Sequence, residues 1–468
     1  MTMYLTKATS SAGSQRTYTV SVWCKLTRYT TASQTIFSSD IEDDGANYGS
    51  LSIESDGLLK FINLTSSSLV TNYQSNRKLR DATGWYHIVL RVDTTQATAG
   101  NRIRLYVNGE QVTSWAYSTT PNQNTDTGVF KSGTATLVGV RHPSSTPNNF
   151  EGYLAHMHIV DGTSYGPDTF AETDSTTGSW KPILEPTVTY GTNGAFLKFE
   201  DSSALGTDSN GSNNFTVSGN VRQSVSTPSN NFCTLDVNQA YLVQNVDYAG
   251  TAFLGTSTAQ RGVFGTLACA KGKWYAEFKI GTDRTASSPG VGIVKNGTWA
   301  SVRWKYEGNN ATPGRETGGS QDCGITYEMT KSSPQLIDQN SGATYGTQAG
   351  ENDIIMMAWD LDNGKIWFGK NGTWNNAPGT TDVGNPATGA NAGLSFTVGG
   401  DYWMPAVHGV VNAADDTNKY LFCNFGEGRF GVTAISSGNA DDNSMGSFEY
   451  DVPAGFYALC TKNINSEA

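Results

Sequence analysis

The chain has 468 residues, which is too long for one hydrophobic core and long enough for two β-sandwiches of about 200 residues each. Its 52 glycines, and the Ser, Thr and Asn residues between short apolar runs, are typical of tight turns joining strands. The net charge of −11, with no local run of Lys and Arg, argues against nucleic acid as a partner. Since long helical periodicity is absent, we predict an all-β protein with two domains.

Two further features bear on localisation. Residues 1–5 turn polar quickly and open no apolar stretch of signal-peptide length, and no run of about 18 apolar residues occurs, so we expect no membrane insertion. The cysteines lie far apart with no CxxC pair, which favours buried thiols over disulfides or metal ligands. They are Cys24, Cys233, Cys269, Cys323, Cys423 and Cys460. The sequence therefore predicts synthesis in a reducing cytoplasm.

The first clear strand covers Thr17–Thr27, and shorter strands after it bracket an acidic loop, Asp40–Tyr48. Every second residue of this strand is predicted to face the core: Tyr18, Val20, Val22, Cys24 and Leu26. A period of two is the pattern of a half-buried β-strand.

A hairpin signal follows in Trp85–Val112. Its first strand is predicted to turn His87 and Arg91 away from an apolar face formed by Tyr86, Ile88, Leu90 and Val92. Its second strand ends at Asn108-Gly109, a pair that tolerates the positive φ of a type I′ turn. The same order recurs in Ile354–Trp374, which closes at Asn371-Gly372. We interpret the two stretches as copies of one all-β plan.

Gly152–Asp161 is predicted to close the first sandwich. One face of this strand carries Tyr153, Ala155, Met157 and Ile159, and the other carries Leu154, His156, His158 and Val160. The i, i+2 spacing of His156 and His158 can present two imidazoles to a metal. No third ligand is nearby in the sequence, so an exposed sheet face is the favoured interpretation.

The composition becomes rich in Ser, Thr, Asn and Pro after Gly162, with one convincing strand at Ala195–Glu200. Phe196 and Phe199 are large apolar residues within this segment, so we expect it to pack on one or both domains. A strong strand, Lys273–Ile280, appears in the second domain. The predicted organisation is a domain at 1–165, a connector with one strand at 166–231 and a second domain at 232–468.

Two resemblances rest on these motifs. Residues 4–160, with YTVSVWCKL, GWYHIVLRVDT, RIRLYVNG and FEGYLAHMHIVDG, resemble a laminin-G-like, concanavalin-type jelly roll. Residues 233–460, with GKWYAEFKI, VGIV, IIMMAWDLDNGKIWFGKNGTW and YLFCNFGEGRF, are similar to SPRY domains. The combined order resembles bacteriophage virion proteins of the lectin-like tail-fibre or structural type. The resemblance implies two tandem concanavalin A-like jelly-roll β-sandwiches at a virion surface, with other virion proteins, further copies of the chain and host surface glycans as partners.

Concanavalin-type sandwiches include glycanases, which need two carboxyl groups about 5–5.5 Å apart in the retaining mechanism. No predicted strand offers such a pair. Glu277 stands alone on its strand, and Asp360 and Asp362 flank a turn where capping of backbone N–H groups is the simpler role. The sequence therefore predicts no enzymatic activity and no catalytic residues.

Two groups of residues are candidate binding sites. Asp40, Asp43, Asp44 and Asn47, with Glu42 beside them, form a dense acidic loop whose oxygens suit Ca²⁺, although a solvated loop is the commoner outcome and no other cofactor is expected.

Large residues in a polar stretch of the second domain form the other group: Trp299, Arg303 and Trp304. Such side chains pack within a domain, anchor protein interfaces or stack on sugar rings, and these three alternatives stay open.

The leading interpretation is a non-enzymatic bacteriophage virion surface protein, of the tail-fibre, appendage or decoration type, which contacts host surface glycans. A stand-alone soluble lectin is the alternative, and a glycoside hydrolase of concanavalin-like fold is third. A virion protein is expected to form stable homo-oligomers or to attach to particles. A lectin is expected to be a monomer with measurable affinity for a sugar.

Overall fold

The computed structural model describes residues 3–27, 32–40, 46–143, 148–237, 246–254, 261–281, 289–295, 324–338, 341–409 and 420–467. The chain divides into two compact units, Met1–Ser224 and Val225–Ala468. Nearly all of the regular structure in these units is β, as predicted.

The first unit contains the following strands: β1 Tyr4–Ala8, β2 Thr17–Leu26, β3 Gln34–Asp40, β4 Tyr48–Ile53, β5 Leu58–Thr65, β6 Ser68–Lys78, β7 Tyr86–Asp93, β8 Ile103–Val107, β9 Glu110–Gln111, β10 Trp115–Thr119, β11 Ala135–Val138, β12 Gly152–Asp161, β13 Ala171–Thr173, β14 Trp180–Pro182, β15 Ala195–Leu197 and β16 Thr216–Ser218. Short 3₁₀ helices cover Ala99–Asn101 and Pro167–Thr169.

Two large sheets form the sandwich of the first unit. One has eight strands in the order β10-β6-β5-β4-β3-β11-β1-β16, and the other has six in the order β15-β12-β2-β7-β8-β9. The alternating side chains of β2 and β7 that were predicted to face inward lie in the core between the sheets: Tyr18, Val20, Val22, Cys24, Leu26, Ile88, Leu90 and Val92. The period-two pattern thus identified the core-facing side of both strands correctly. The expectation that the strands are only half-buried was wrong, because Thr19, Ser21, Lys25 and His87 on the opposite face are also buried.

Strand β12 departs from its predicted alternation because a β-bulge interrupts its pairing with β2, between Ala155 and His158. His156 lies in this bulge with a φ of 44°. An extra residue in one strand moves every later side chain to the opposite face. Leu154 therefore packs on the core before the bulge and Met157 packs there after it, while Ala155 lies in an outer cluster. The prediction of one continuous face was wrong at this point.

The outer face of the six-stranded sheet is covered by part of the predicted connector. Phe170, Tyr190 and Phe196 pack against Val89 and Val160 of the sheet. Strand β15 is shorter than predicted, and it pairs with β12 at the sheet edge. The first unit is therefore a sandwich with a third, partial layer, which we call the covering layer.

The second unit contains the following strands: β17 Val246–Asp247, β18 Ala252–Leu254, β19 Arg261–Phe264, β20 Lys273–Ile280, β21 Gly290–Lys295, β22 Gly324–Glu328, β23 Gln335–Asp338, β24 Ser341–Thr344, β25 Ile354–Asp360, β26 Lys365–Lys370, β27 Thr373–Trp374, β28 Leu394–Ser395, β29 Trp403–Gly409, β30 Tyr420–Asn424, β31 Arg429–Phe430, β32 Thr433–Ala434 and β33 Tyr457–Ala458. A 3₁₀ helix covers Pro386–Thr388, and α1 covers Thr461–Glu467.

Two large sheets also build the second unit. The larger follows the order β17-β18-β30-β20-β25-β26-β27, with β28 beside β26 and β33 beside β20, and the smaller follows β19-β29-β21-β22-β23-β24. Strand β20 is buried on both faces, because Phe448 and Phe456 cover Tyr275 on the outer side of its sheet. Each unit thus protects its hairpin-bearing sheet with a segment that follows it in the chain.

The two predicted hairpins close with matching turns. Asn108-Gly109 has φ values of 51° and 81°, and Asn371-Gly372 has φ values of 49° and 84°. In each turn the asparagine N–H donates to a carbonyl of the opposite strand, of His87 at 2.8 Å and of Ile354 at 2.9 Å. In return, the Oδ1 atom of Asn108 accepts the N–H of His87, and the Oδ1 atom of Asn371 accepts the N–H of Ile354, each at 2.8 Å. The two turns are therefore built on one hydrogen-bond plan.

No described helix has the length and hydropathy that crossing a membrane requires. Five of the cysteines are buried thiols, as predicted: Cys24, Cys233, Cys269, Cys423 and Cys460. The remaining one, Cys323, lies outside the described residues.

Candidate functional site

A groove of about 540 Å³ opens on the second unit beside the Asn371-Gly372 turn. We call it the amide groove. It is lined by Thr344–Thr347, by Lys370 and Asn371, and by Thr373–Thr380. The antiparallel ladder of β26 and β27 places Trp374 opposite Gly369, so the turn carries the indole ring to the wall of the groove.

The groove rests on an ordered base. Trp374 is half-buried and packs on a core cluster, with the ring of Tyr275 edge-on at 6.4 Å between centroids. Tyr345 is buried, and its hydroxyl donates to the carbonyl of Phe368 at 3.2 Å and accepts the N–H of Phe368 at 3.1 Å. Aromatic walls fixed by such contacts are pre-organised for a ligand.

The lining of the amide groove is nearly neutral. Among the described residues that line it, Lys370 is the one that carries a charge. Its Nζ donates to the carbonyl of Gln348 at 3.0 Å and lies 3.9 Å from the carboxylate of Asp353. Asn371 donates to the same carboxylate at 2.7 Å. The charge of Lys370 is thus engaged within the fold, and the groove presents hydroxyl, amide and aromatic groups. This chemistry suits a neutral polyhydroxylated ligand.

Asn375 lies at the edge of the ordered base of the amide groove. Its N–H donates to the carbonyl of Phe368 at 3.0 Å, and its carbonyl accepts the N–H of Gly384 at 3.0 Å. Its Nδ2 atom and the Tyr327 hydroxyl are both buried and the two side chains meet, but neither group makes a well-aligned hydrogen bond with a described residue. A Cβ on Gly346 would lie 2.5 Å from that hydroxyl and 2.6 Å from Nδ2, so only glycine fits above them.

The predicted aromatic site, Trp299, Arg303 and Trp304, lies outside the described residues. Its three alternative roles remain predictions. The amide groove was missed by the sequence analysis, although Thr373 and Trp374 follow a recognised turn directly. A large aromatic next to an exposed turn was the available signal.

The predicted calcium loop is described in part, because Asp43 and Asp44 lie outside the described residues. Asp40 is buried at the end of β3, where it pairs with Ala135. Asn47 Oδ1 accepts the Ser66 N–H at 3.0 Å and lies 3.2 Å from Nζ of Lys131. An ammonium group already bound to that oxygen competes with a metal cation for it. Calcium binding remains a prediction.

The carboxylates singled out in the second unit hold backbone segments. Asp360 accepts the N–H groups of Asp362 and Asn363, each at 2.9 Å, which is the turn-capping role that was predicted. Glu277 is fully buried and accepts from four donors, the Tyr275 hydroxyl of its own strand and three donors from other elements. Both carboxylates are therefore engaged in organising the fold.

A serine and a histidine meet on the outer face of β2 and β7. His87 is buried, stacks on Trp23 at 4.9 Å, and accepts the indole N–H of Trp180 on Nδ1 at 3.1 Å. Its proton therefore resides on Nε2, which donates to Ser21 Oγ at 2.8 Å. Burial lowers the pKa of His87 to about 3. A histidine that donates to the hydroxyl does not act as its general base, so this pair is structural.

His158 is not on an exposed face, which corrects the sequence interpretation. Its ring stacks on Phe196 at 4.0 Å, and its Nδ1 lies 2.8 Å from the Tyr190 hydroxyl beneath the covering layer. Its side chain is 1% exposed, and burial holds its pKa well below the usual value of 6.5. His156 also lies near Phe196, at 6.1 Å between ring centroids.

The covering layer should therefore make the first unit sensitive to acid. The folded state keeps His158 neutral, whereas the unfolded chain takes up its proton below a pH of about 6.5, so the free energy of unfolding falls as the pH drops through that range. We expect a larger drop in melting temperature between about pH 7.5 and about pH 5 for the wild type than for His158→Phe. Equal drops in the two proteins would contradict this assignment.

Comparison with known families agrees with the fold. Residues 3–164 match the family model Laminin_G_3, described as the concanavalin A-like lectin/glucanases superfamily. The first unit contains a concanavalin A-like domain. The match ends near the start of the covering layer, so the layer lies C-terminal to the matched concanavalin A-like region. No curated protein sequence matches the chain.

Several solved structures are similar in fold to parts of the chain. A heptameric SAP-like pentraxin from Limulus polyphemus has 16% identity and a TM-score of 0.27, covering 35% of this chain and 71% of its own. The SPRY domain of human HERC1 has 16% identity and a TM-score of 0.27, covering 40% and 96%. Domains LG4-5 of the mouse laminin alpha1 chain have 10% identity and a TM-score of 0.28, covering 90% and 83%. At these identities and TM-scores the likeness carries no conclusion about what this chain does.

Proposed function

We propose that the chain is a non-enzymatic surface protein of a bacteriophage particle, of the tail-fibre, appendage or decoration type, which contacts host glycans through the amide groove. The observation that carries the glycan contact is the neutral lining of that groove, with an ordered tryptophan beside hydroxyl and amide groups. Binding of a sugar needs such a surface, whereas hydrolysis needs two accessible carboxyl groups.

The particle assignment is supported by the order of the two β-sandwich domains, which resembles that of virion proteins. Antiparallel sandwiches place many loops at their ends and rims, where contacts with neighbouring proteins are made. In this proposal the partners are other virion proteins and further copies of the chain. The site of synthesis is the cytoplasm of the bacterial host.

A stand-alone lectin is the second candidate, and the observation in its favour is the match of residues 3–164 to a superfamily of lectins and glucanases. The two candidates differ in assembly. A lectin is expected to be monomeric and absent from particles, whereas a structural protein is expected at a fixed copy number in each particle.

Mass spectrometry of purified particles tests the particle assignment, and we expect the chain at a constant stoichiometry relative to the major capsid protein. The purified chain is expected to release no reducing ends from a panel of bacterial and algal polysaccharides. Absence from particles, together with sugar binding by a monomer, would favour the lectin. Reducing-end release by the homogeneous protein would instead point to a glycoside hydrolase.

A further inference from the structure

The base of the amide groove contains two buried polar groups that meet without a well-aligned hydrogen bond. The Tyr327 hydroxyl and Asn375 Nδ2 both lie close to Gly346, and the two side chains contact each other, but neither group makes a bond of good geometry with a described residue. Burial raises the pKa of Tyr327 to about 12, so its hydroxyl keeps its proton and needs an acceptor. A buried donor without an acceptor is costly, so the pair demands an explanation.

A rotation of the Asn375 side-chain amide gives the Tyr327 hydroxyl an acceptor and frees Nδ2 from its buried position. The oxygen and nitrogen of a side-chain amide exchange places when the group turns by about 180°, and the two orientations have nearly the same shape. In the turned orientation Oδ1 accepts the Tyr327 hydroxyl proton. The Nδ2 group then takes the place of Oδ1 and offers N–H donors from a residue that lines the amide groove together with Trp374.

A donor in this position selects for an acceptor on the ligand. An amide carbonyl is a stronger acceptor than a sugar hydroxyl, and an acetamido group carries a methyl that packs on an aromatic ring. Thr373 and Asn376 also line the groove and can bond to the hydroxyls of a sugar ring. Lys370 is the one charged residue among the described lining residues, and its charge is engaged by Gln348 and Asp353 within the fold, which disfavours a carboxylate or phosphate as the ligand.

We propose that the amide groove recognises N-acetylhexosamine residues of a neutral glycan, with Asn375 Nδ2 donating to the acetamido carbonyl and Trp374 contacting the acetamido methyl. This inference rests on the proposed glycan contact and narrows it to one class of sugar. Asn375 is the specificity-determining residue, and Tyr327 positions it by fixing the orientation of its amide.

Isothermal titration calorimetry with chitotriose and cellotriose tests the proposal, because these sugars differ only in an acetamido or hydroxyl group at C2. We expect chitotriose to bind about tenfold or more tightly than cellotriose. Asn375→Asp replaces the donor by an acceptor of the same shape and should reduce chitotriose affinity by a similar factor. The matched control is Asn210→Asp, an exposed asparagine of the first unit, which should bind chitotriose as the wild type does.

A second measurement uses the unaltered protein and so does not depend on the stability of a variant. In saturation-transfer NMR with chitotriose, the acetamido methyl protons should receive more saturation than the ring protons. Equal affinity for the two sugars, or unchanged binding by a folded Asn375→Asp variant, would overturn the acetamido inference and leave the glycan contact standing. Failure to bind chitotriose would also overturn it. The broader glycan proposal fails separately, if no polysaccharide of the host surface binds.

Discussion

Replacing Gly109 with valine is expected to lower the free energy of unfolding of the first unit by about 2–4 kcal/mol. Two effects add at this position. The φ of 81° is one that a β-branched residue rarely adopts. A Cβ would also lie 3.1 Å from the indole ring of Trp180, which is held in place by its bond to His87.

Two other glycines of the first unit separate these effects. Gly133 has a φ of 83° with no atom within 4 Å of its Cβ position, so Gly133→Val measures the backbone effect alone. Gly166 has an extended φ of −84° and equally open space, so Gly166→Val should change stability little. Thermal unfolding should rank the variants with Gly166→Val the most stable and Gly109→Val the least. A Gly109→Val variant as stable as Gly133→Val would show that contact with Trp180 adds nothing.

The matching turn of the second unit should respond in the same way. Gly372 has a φ of 84°, and its Cβ position lies 3.1 Å from the ring of Tyr450. We expect two separable unfolding transitions, with Gly372→Val shifting only the second unit and Gly109→Val only the first. If either substitution leaves both transitions unmoved, the paired-hairpin interpretation is wrong.

Replacing Glu277 with alanine is expected to destabilise the second unit by about 3–5 kcal/mol, because four donors would lose a buried acceptor. Oε1 accepts the Tyr275 hydroxyl at 3.0 Å and the Tyr450 N–H at 2.8 Å. Oε2 accepts the Glu449 N–H at 2.8 Å and the Asn424 amide at 3.2 Å. This one side chain therefore joins β20 to β30 and to the segment that covers its sheet.

Glu277→Gln provides the matched variant, because it keeps the shape and removes the titration. Burial raises the pKa of Glu277 to about 7, and the four hydrogen bonds oppose that rise only in part. The folded state thus holds a proton that the unfolded chain loses near pH 4.5, so the contribution of Glu277 to stability decreases as the pH rises toward 7.

The difference in stability between wild type and Glu277→Gln should accordingly shift by about 2–3 kcal/mol, in favour of the variant, between about pH 5 and about pH 8. Urea unfolding of the second unit at the two pH values gives this difference. A difference that does not change with pH would show that Glu277 ionises in the folded state as easily as in the unfolded chain.

Features coded by neighbouring residues were predictable from the sequence. The alternation in β2 and β7 and the Asn-Gly turns depend on a period of two and on the conformational freedom of single residues. The bulge at His156 has no comparable local marker, because an extra residue in a strand is defined only against its partner. The prediction for β12 therefore failed at the residue where the pairing with β2 slips.

The packing of the connector was predicted from Phe196, but the full set of residues in the covering layer and the amide groove escaped prediction for a related reason. Phe170, Tyr190 and Phe196 are spread through a polar segment, and their common burial appears only when the segment lies on the sheet. The groove joins strands β24, β26 and β27 with the loop after them. Its key amide, Asn375, has an environment set by Tyr327, which lies far away in the sequence.

The covering layer of the first unit also bears on how such genes can recombine. The region that matches a known family ends at residue 164, yet the apolar outer face of its sheet, with Val89 and Val160, is protected by residues further along the chain. A genetic crossover at the end of the matched region would join that sheet to an unrelated segment and leave its apolar outer face exposed to water. The module that must stay intact is therefore longer than the family match, and viable exchanges should keep residues 3–224 together.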